Sequence, residues 1–70
     1  MSPRYDPPRL ERITWLDDGY EVDGRYLVAH EGETKVVFTR VALNGRLLSD
    51  PMVVEHVHVL EREEIFEVPA

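Results

Sequence analysis

The sequence predicts an all-β domain: a small antiparallel meander of five to six strands, arranged as an SH3-like barrel or a strongly twisted sheet. Short runs rich in Val, Ile, Thr and aromatic residues recur along the chain, and such residues suit a pleated, half-buried surface. Turn chemistry punctuates them at Asp17-Asp18-Gly19, Asp23-Gly24, Glu31-Gly32-Glu33 and Asn44-Gly45. The clearest of these is Asn44-Gly45, between residues 34–43 and 46–49. Both residue types tolerate positive φ, which a type I′ hairpin turn needs at both central positions.

Residues 1–9 hold Pro3, Pro7 and Pro8 and little apolar content. Proline removes a ladder donor and restrains its predecessor, so this segment reads as a Pro-rich, disordered, flexible N-terminal arm, with a single small β domain over 10–70. Arg4, Arg9 and Arg12 cluster nearby and read as a solvated, solubilising stretch. Residues 12–16 are β-branched and aromatic and form the first strand, ended at Asp17-Asp18-Gly19. Residues 20–30 read as one strand with a bulge at Gly24; a hairpin at Asp23-Gly24 would leave only residues 20–22 on one side. Residues 34–43 are the next strand. Its return partner is interrupted at Asp50-Pro51 and resumes over 52–60.

A helix over 52–64 is the rival there. Val54, Val57 and Val59 make no helical stripe, and β-branched valine favours a strand for 53–60. Residues 61–64 are charged, and 65–68 form a last edge strand. Val36, Phe38 and Ala42 lie on one parity and Val37, Val41 and Leu43 on the other, so both faces are apolar. An open sheet with one wet face alternates more cleanly, which points to a closed barrel or a second face meeting a partner. The expected core is Ile13, Trp15, Val22, Tyr26, Val28, Val37, Val41, Val54 and Val57.

Composition narrows the function classes. A chain of 70 residues buries only about 60% of its unfolded surface, and with no cysteine it has neither disulfides nor thiolate metal sites. Self-association is one way to supplement so small a core. Fourteen carboxylates against eight basic residues give a net charge of −6, which repels nucleic acid and anionic membranes. No apolar run approaches the roughly 20 residues of a membrane span, and residues 1–8 have no leader-like apolar segment, so the expected location is cytoplasmic. Lys35 is the only lysine, Asn44 the only asparagine, and glutamine is absent, a pattern compatible with a thermophilic source.

His56-Val57-His58 is the one cluster with metal chemistry. On a strand, residues two apart share a face, so both imidazoles would project together as a start for zinc, nickel or copper. With Glu63, the string His-x-His-x4-Glu is similar to the central part of the first cupin metal motif. The likeness covers only residues 56–63, Asp50 stands where that motif has glycine, and seven residues follow Glu63, so only the local chemistry is retained. A third ligand would come from His30, Glu31, Glu33 or a second subunit.

Other chemistries find less. Gly19, Gly24, Gly32 and Gly45 sit singly in turns and build no phosphate loop. Ser2 and Ser49 lack a nucleophile-elbow context, and Asp17-Asp18 reads as a hydrophilic hairpin tip. No catalytic or cofactor-binding residue is assigned, and no small-molecule substrate is evident. The expected function is a non-enzymatic protein–protein interaction module that self-associates as a homodimer, with Tyr5, Tyr20, Met52 and Phe66 as interface candidates. Two alternatives are a small acidic inhibitor of a basic nucleic-acid-binding protein and a metal-binding protein built on His56 and His58.

Overall fold

The structure, a computed structural model, describes residues 8–66. Nearly all of the expected arm, with Tyr5, and the end of the expected last strand lie outside the described residues. Five strands form one antiparallel sheet: β1 (Arg9–Asp17), β2 (Tyr20–Glu31), β3 (Lys35–Arg40), β4 (Met52–Glu55) and β5 (Val59–Glu64). Their order is β4-β3-β2-β1-β5. The all-β antiparallel expectation therefore holds, with five strands rather than six among the described residues.

The type I′ hairpin joins β1 to β2. Asp18 and Gly19 have φ of 51° and 83°, and Asp17 pairs directly with Tyr20. At Asn44-Gly45, where the sequence predicts that turn, only Gly45 has positive φ, at 87°. The Gly45 N–H donates to the Ala42 carbonyl at 2.9 Å, and Ala42 N–H to the Arg46 carbonyl at 2.9 Å. This is a three-residue loop closed by one left-handed glycine, so Asn44 need not leave ordinary φ. Its Oδ1 instead accepts the Arg46 N–H at 2.9 Å. The expected return strand shrinks to a Val41–Leu47 bridge, and ladder pairing resumes only at Met52, past Pro51.

β2 runs unbroken through Gly24, as expected, but its irregularity falls between Val28 and His30 in the pairing with β3. Gly24 has a different use. A Cβ there would lie 3.2 Å from the Tyr26 ring, so the missing side chain makes room for that ring over the sheet.

Residues 53–60 are neither one strand nor a helix: β4 ends at Glu55, a 3₁₀ turn spans His56–His58, and β5 starts at Val59. The sheet order explains the break, because β4 and β5 lie at opposite edges and the chain must cross between them. Flat, five strands place their outer axes about 19 Å apart. Four residue steps at the rise of a 3₁₀ helix cover only about 8 Å. The sheet therefore curves enough for this short turn to link the end of β4 to the start of β5, and the turn packs against β1. No ladder joins β4 to β5, so among the described residues the sheet is not closed by hydrogen bonds.

The concave face holds the core: Ile13, Trp15, Tyr26, Val28, Val36, Phe38 and Val54 are buried, with Val22, Met52 and Val59 packed against them. On β3 the buried parity is Val36 and Phe38. Val37, expected inside, is half-buried on the outer face opposite Val53, and Val57 is exposed because the 3₁₀ turn carries it off the sheet. Phe38 lies 4.7 Å from Tyr26 and 5.4 Å from Trp15 between ring centroids. The Trp15 Nε1–H donates to the Tyr26 hydroxyl at 2.8 Å inside this cluster. Tyr26→Phe removes that acceptor and strands a buried donor, with an expected loss of about 1–3 kcal/mol in urea unfolding. An unchanged midpoint would show that water reaches the indole.

Candidate functional site

The concave face ends in a charged cluster that hydropathy reading missed. Glu11 shares its parity on β1 with Ile13 and Trp15, and only 4% of it is exposed. Arg62 arrives from β5 and donates to both its oxygens, Nε to Oε1 at 2.7 Å and Nη2 to Oε2 at 2.8 Å. The same guanidinium grips Glu31 of β2, Nη1 to Oε2 and Nη2 to Oε1, both at 2.8 Å. Arg9 closes the group with Nη2 to Glu31 Oε1 at 2.8 Å and a longer 3.4 Å approach to Glu11. Glu31 reaches this face because the irregularity before His30 rotates the end of β2, setting Glu31 opposite the buried Val36.

The electrostatics follow from these bonds. Hydrogen bonds from Arg62 hold the Glu11 carboxyl below its ordinary value against the opposing effect of burial, and hold Glu31 down to about 2. Both acids in turn raise Arg62. Two carboxylates and two guanidiniums thus neutralise one another, with both acids ionised at neutral pH. Neither carboxyl has a proton to give there, and their oxygens already accept strong donors. The cluster is a clamp tying β5, β1 and β2. Its one sequence signal was a charged residue, Glu11, on the parity of Ile13 and Trp15.

His56 and His58 do not share a strand face. They stand two apart on a 3₁₀ turn, where side chains eclipse at a spacing of three. His56 is half-buried and His58 exposed. The His56 Nε2 lies 3.0 Å from the Gly32 carbonyl, so that nitrogen carries a proton, and 3.8 Å from Glu31 Oε2. Among the described residues, no three His, Asp or Glu side chains gather as a metal-binding group. Of the interface candidates, Tyr20 is exposed beside the β1–β2 turn, Phe66 is exposed past β5, and Met52 packs against the core.

The two sheet edges differ in chemistry. Beside β5, an open groove of about 690 Å³ is lined by Arg12, Thr14, Glu21, Asp23, Glu61, Arg62 and Glu63, four acids against two bases. Arg12 and Asp23 pair there at 2.7 Å. Between the end of β3 and the start of β5, Leu43, Leu47, Leu48, Val53 and Val57 are all exposed. No helix among the described residues is long and apolar enough to cross a membrane. No protein-family model, curated protein or solved structure matches the chain.

Proposed function

We propose that this chain is a non-enzymatic protein-interaction module, built as a partly open SH3-like barrel, that self-associates and works through its β4 side. The observation that carries this is the segregation of surface chemistry. Among the described residues, five of the eight exposed large hydrophobic residues fall between Leu43 and Val57, in the segment that holds β4. The β5 side exposes Leu60 and, past the strand, Phe66, but sets them beside a groove lined mostly by carboxylates. Apolar surface returns about 25 cal/mol per Å² when removed from water, so the β4 side gains from a protein partner. The curvature implied by the short link between the two edge strands supports the barrel reading, and a net charge of −6 favours a protein over a nucleic acid or an anionic membrane.

Leu47→Asp combined with Leu48→Asp tests the reading, since both residues are exposed and the fold should tolerate them. In sedimentation equilibrium the wild type is expected to associate with rising concentration, and the double variant at least about tenfold more weakly. Equal association of the two would move the interface elsewhere; a wild type that stays monomeric at every attainable concentration would remove self-association.

The acidic groove beside β5 supports a second reading, a small acidic inhibitor docked on a basic nucleic-acid-binding protein. Salt separates the two. Charge-driven docking weakens as salt rises, whereas association of apolar surfaces on chains of like charge strengthens.

A further inference from the structure

We infer that the partner across the β4 edge is a second copy of this chain, added as an antiparallel strand with its two-fold axis at Val53. This rests on the interaction-module reading and adds the occupant, the strand and the register.

The backbone sets the register. The His56 N–H donates to the Thr34 carbonyl at 2.8 Å, in line with the Lys35–Glu55 and Val36–Val54 pairs. Along an antiparallel strand the bonding direction alternates. Met52 and Val54 therefore also address β3, while Val53 and Glu55 direct N–H and C=O outward. Pro51 offers a carbonyl there and no N–H. Among the described residues no strand covers this edge.

A two-fold axis at Val53 matches this pattern to itself. Val53 exchanges both bonds with its copy, and each Glu55 N–H meets the Pro51 carbonyl of the other chain, so every outward donor finds an acceptor. The missing Pro51 N–H leaves only the Glu55 carbonyl to water, at the rim. Val53, 64% exposed in the single chain, then lies against its copy on the outer face, with Val37 beside it.

Charge selects this axis. Each copy carries −6, so separating carboxylates matters. The axis at Val53 sets the two Glu55 positions four residues apart along the strands, about 13 Å. An axis at Val54 brings them to a diagonal separation of about 8 Å. Lys35, directly across from Glu55 on β3, offsets that charge within each copy. The β5 edge is less favourable: an axis at Leu60 would pair Arg62 with His58, which already lies in the 3₁₀ turn and not on a strand. An axis at Glu63 opposes Glu63 to its own copy, and one at Arg62 opposes Glu61 to Glu63 as well as Arg62 to itself. Like charges directly opposite destabilise a strand pair.

The chain has no cysteine, so single-cysteine variants give a clean test under mild oxidation. Directly paired residues in a hydrogen-bonded antiparallel site lie about 5.5 Å apart between Cα atoms, within disulfide range. Val53→Cys is expected to convert to a covalent dimer and Glu55→Cys to remain reduced. In the unmodified protein, the Val53 and Glu55 amides should gain hydrogen-exchange protection as concentration rises, and salt should strengthen association. Cross-linking of Glu55→Cys equal to that of Val53→Cys, or unprotected Val53 and Glu55 amides in a protein that sediments as a dimer, would overturn the strand pairing. The interaction-module reading would survive that result. A wild type that never associates would overturn both the pairing and the self-association beneath it.

Discussion

Arg62→Leu is expected to cost about 3 kcal/mol of unfolding free energy, the low end of the range for breaking a buried ion pair. The variant leaves Glu11, only 4% exposed, without the guanidinium that donates to both its oxygens. Arg9 remains at 3.4 Å, and the more open Glu31 can recover water, which keeps the loss at the low end. Natural domains have only about 5–15 kcal/mol in total, so the change is large. At about 4–8 °C per kcal/mol for a domain of this size, the melting temperature should fall by well over ten degrees.

Acid gives the second readout. Glu11 and Glu31 titrate near 4.5 in an unfolded chain and lower in the fold, Glu31 at about 2. Between these values the unfolded state binds more protons, so the clamp's contribution is complete above about pH 4.5 and is lost as pH falls toward about 2. Arg62→Leu should therefore both unfold earlier in urea at neutral pH and show a shallower fall in stability below pH 4.5. Equal midpoints and equal acid slopes would mean that the clamp contributes nothing.

Phe38→Ala should cost more, about 3–5 kcal/mol. The Phe38 ring is wholly buried and touches both other core aromatics, so its removal opens a void that the three rings presently fill. Movement of Trp15 and Tyr26 into it is resisted by their mutual hydrogen bond. Phe66→Ala is the matched control. That ring is 80% exposed, and its loss should stay within about 0.5 kcal/mol. Urea unfolding followed by fluorescence of Trp15, the single tryptophan, measures both. A Phe38→Ala midpoint within error of the Phe66→Ala midpoint would show that the aromatic cluster is not the core.

Much of the candidate interface was less legible than the fold. Tyr20 could be read as exposed because it sits directly after the Asp17-Asp18-Gly19 turn. Met52 could not, because whether a strand residue faces core or water depends on register, and the Asp50-Pro51 interruption hides that register from the sequence. Val37 was assigned to the wrong face for the same reason: β3 is apolar on both parities, so the alternation that marks a half-buried strand is absent. The outward direction of the Val53 and Glu55 backbone, on which the dimer inference depends, became visible only through the bond from His56 to Thr34.

By itself the sequence determined what short-range chemistry can specify. β-branched runs and turn residues set the all-β class, the unbroken β2, and Ile13, Trp15, Tyr26, Val28 and Val54 as core. Which turn takes which geometry was a tertiary decision, since the loop lengths and the sheet's twist placed the type I′ turn at Asp18-Gly19 and a single left-handed glycine at Asn44-Gly45. The clamp and the 3₁₀ turn have the same origin. Glu11 and Arg62 are 51 residues apart and meet only because β5 crosses from one edge of the sheet to pair with β1 at the other. That crossing forces His56–His58 into a tight turn, and no local pattern of residues encodes the position of a distant edge.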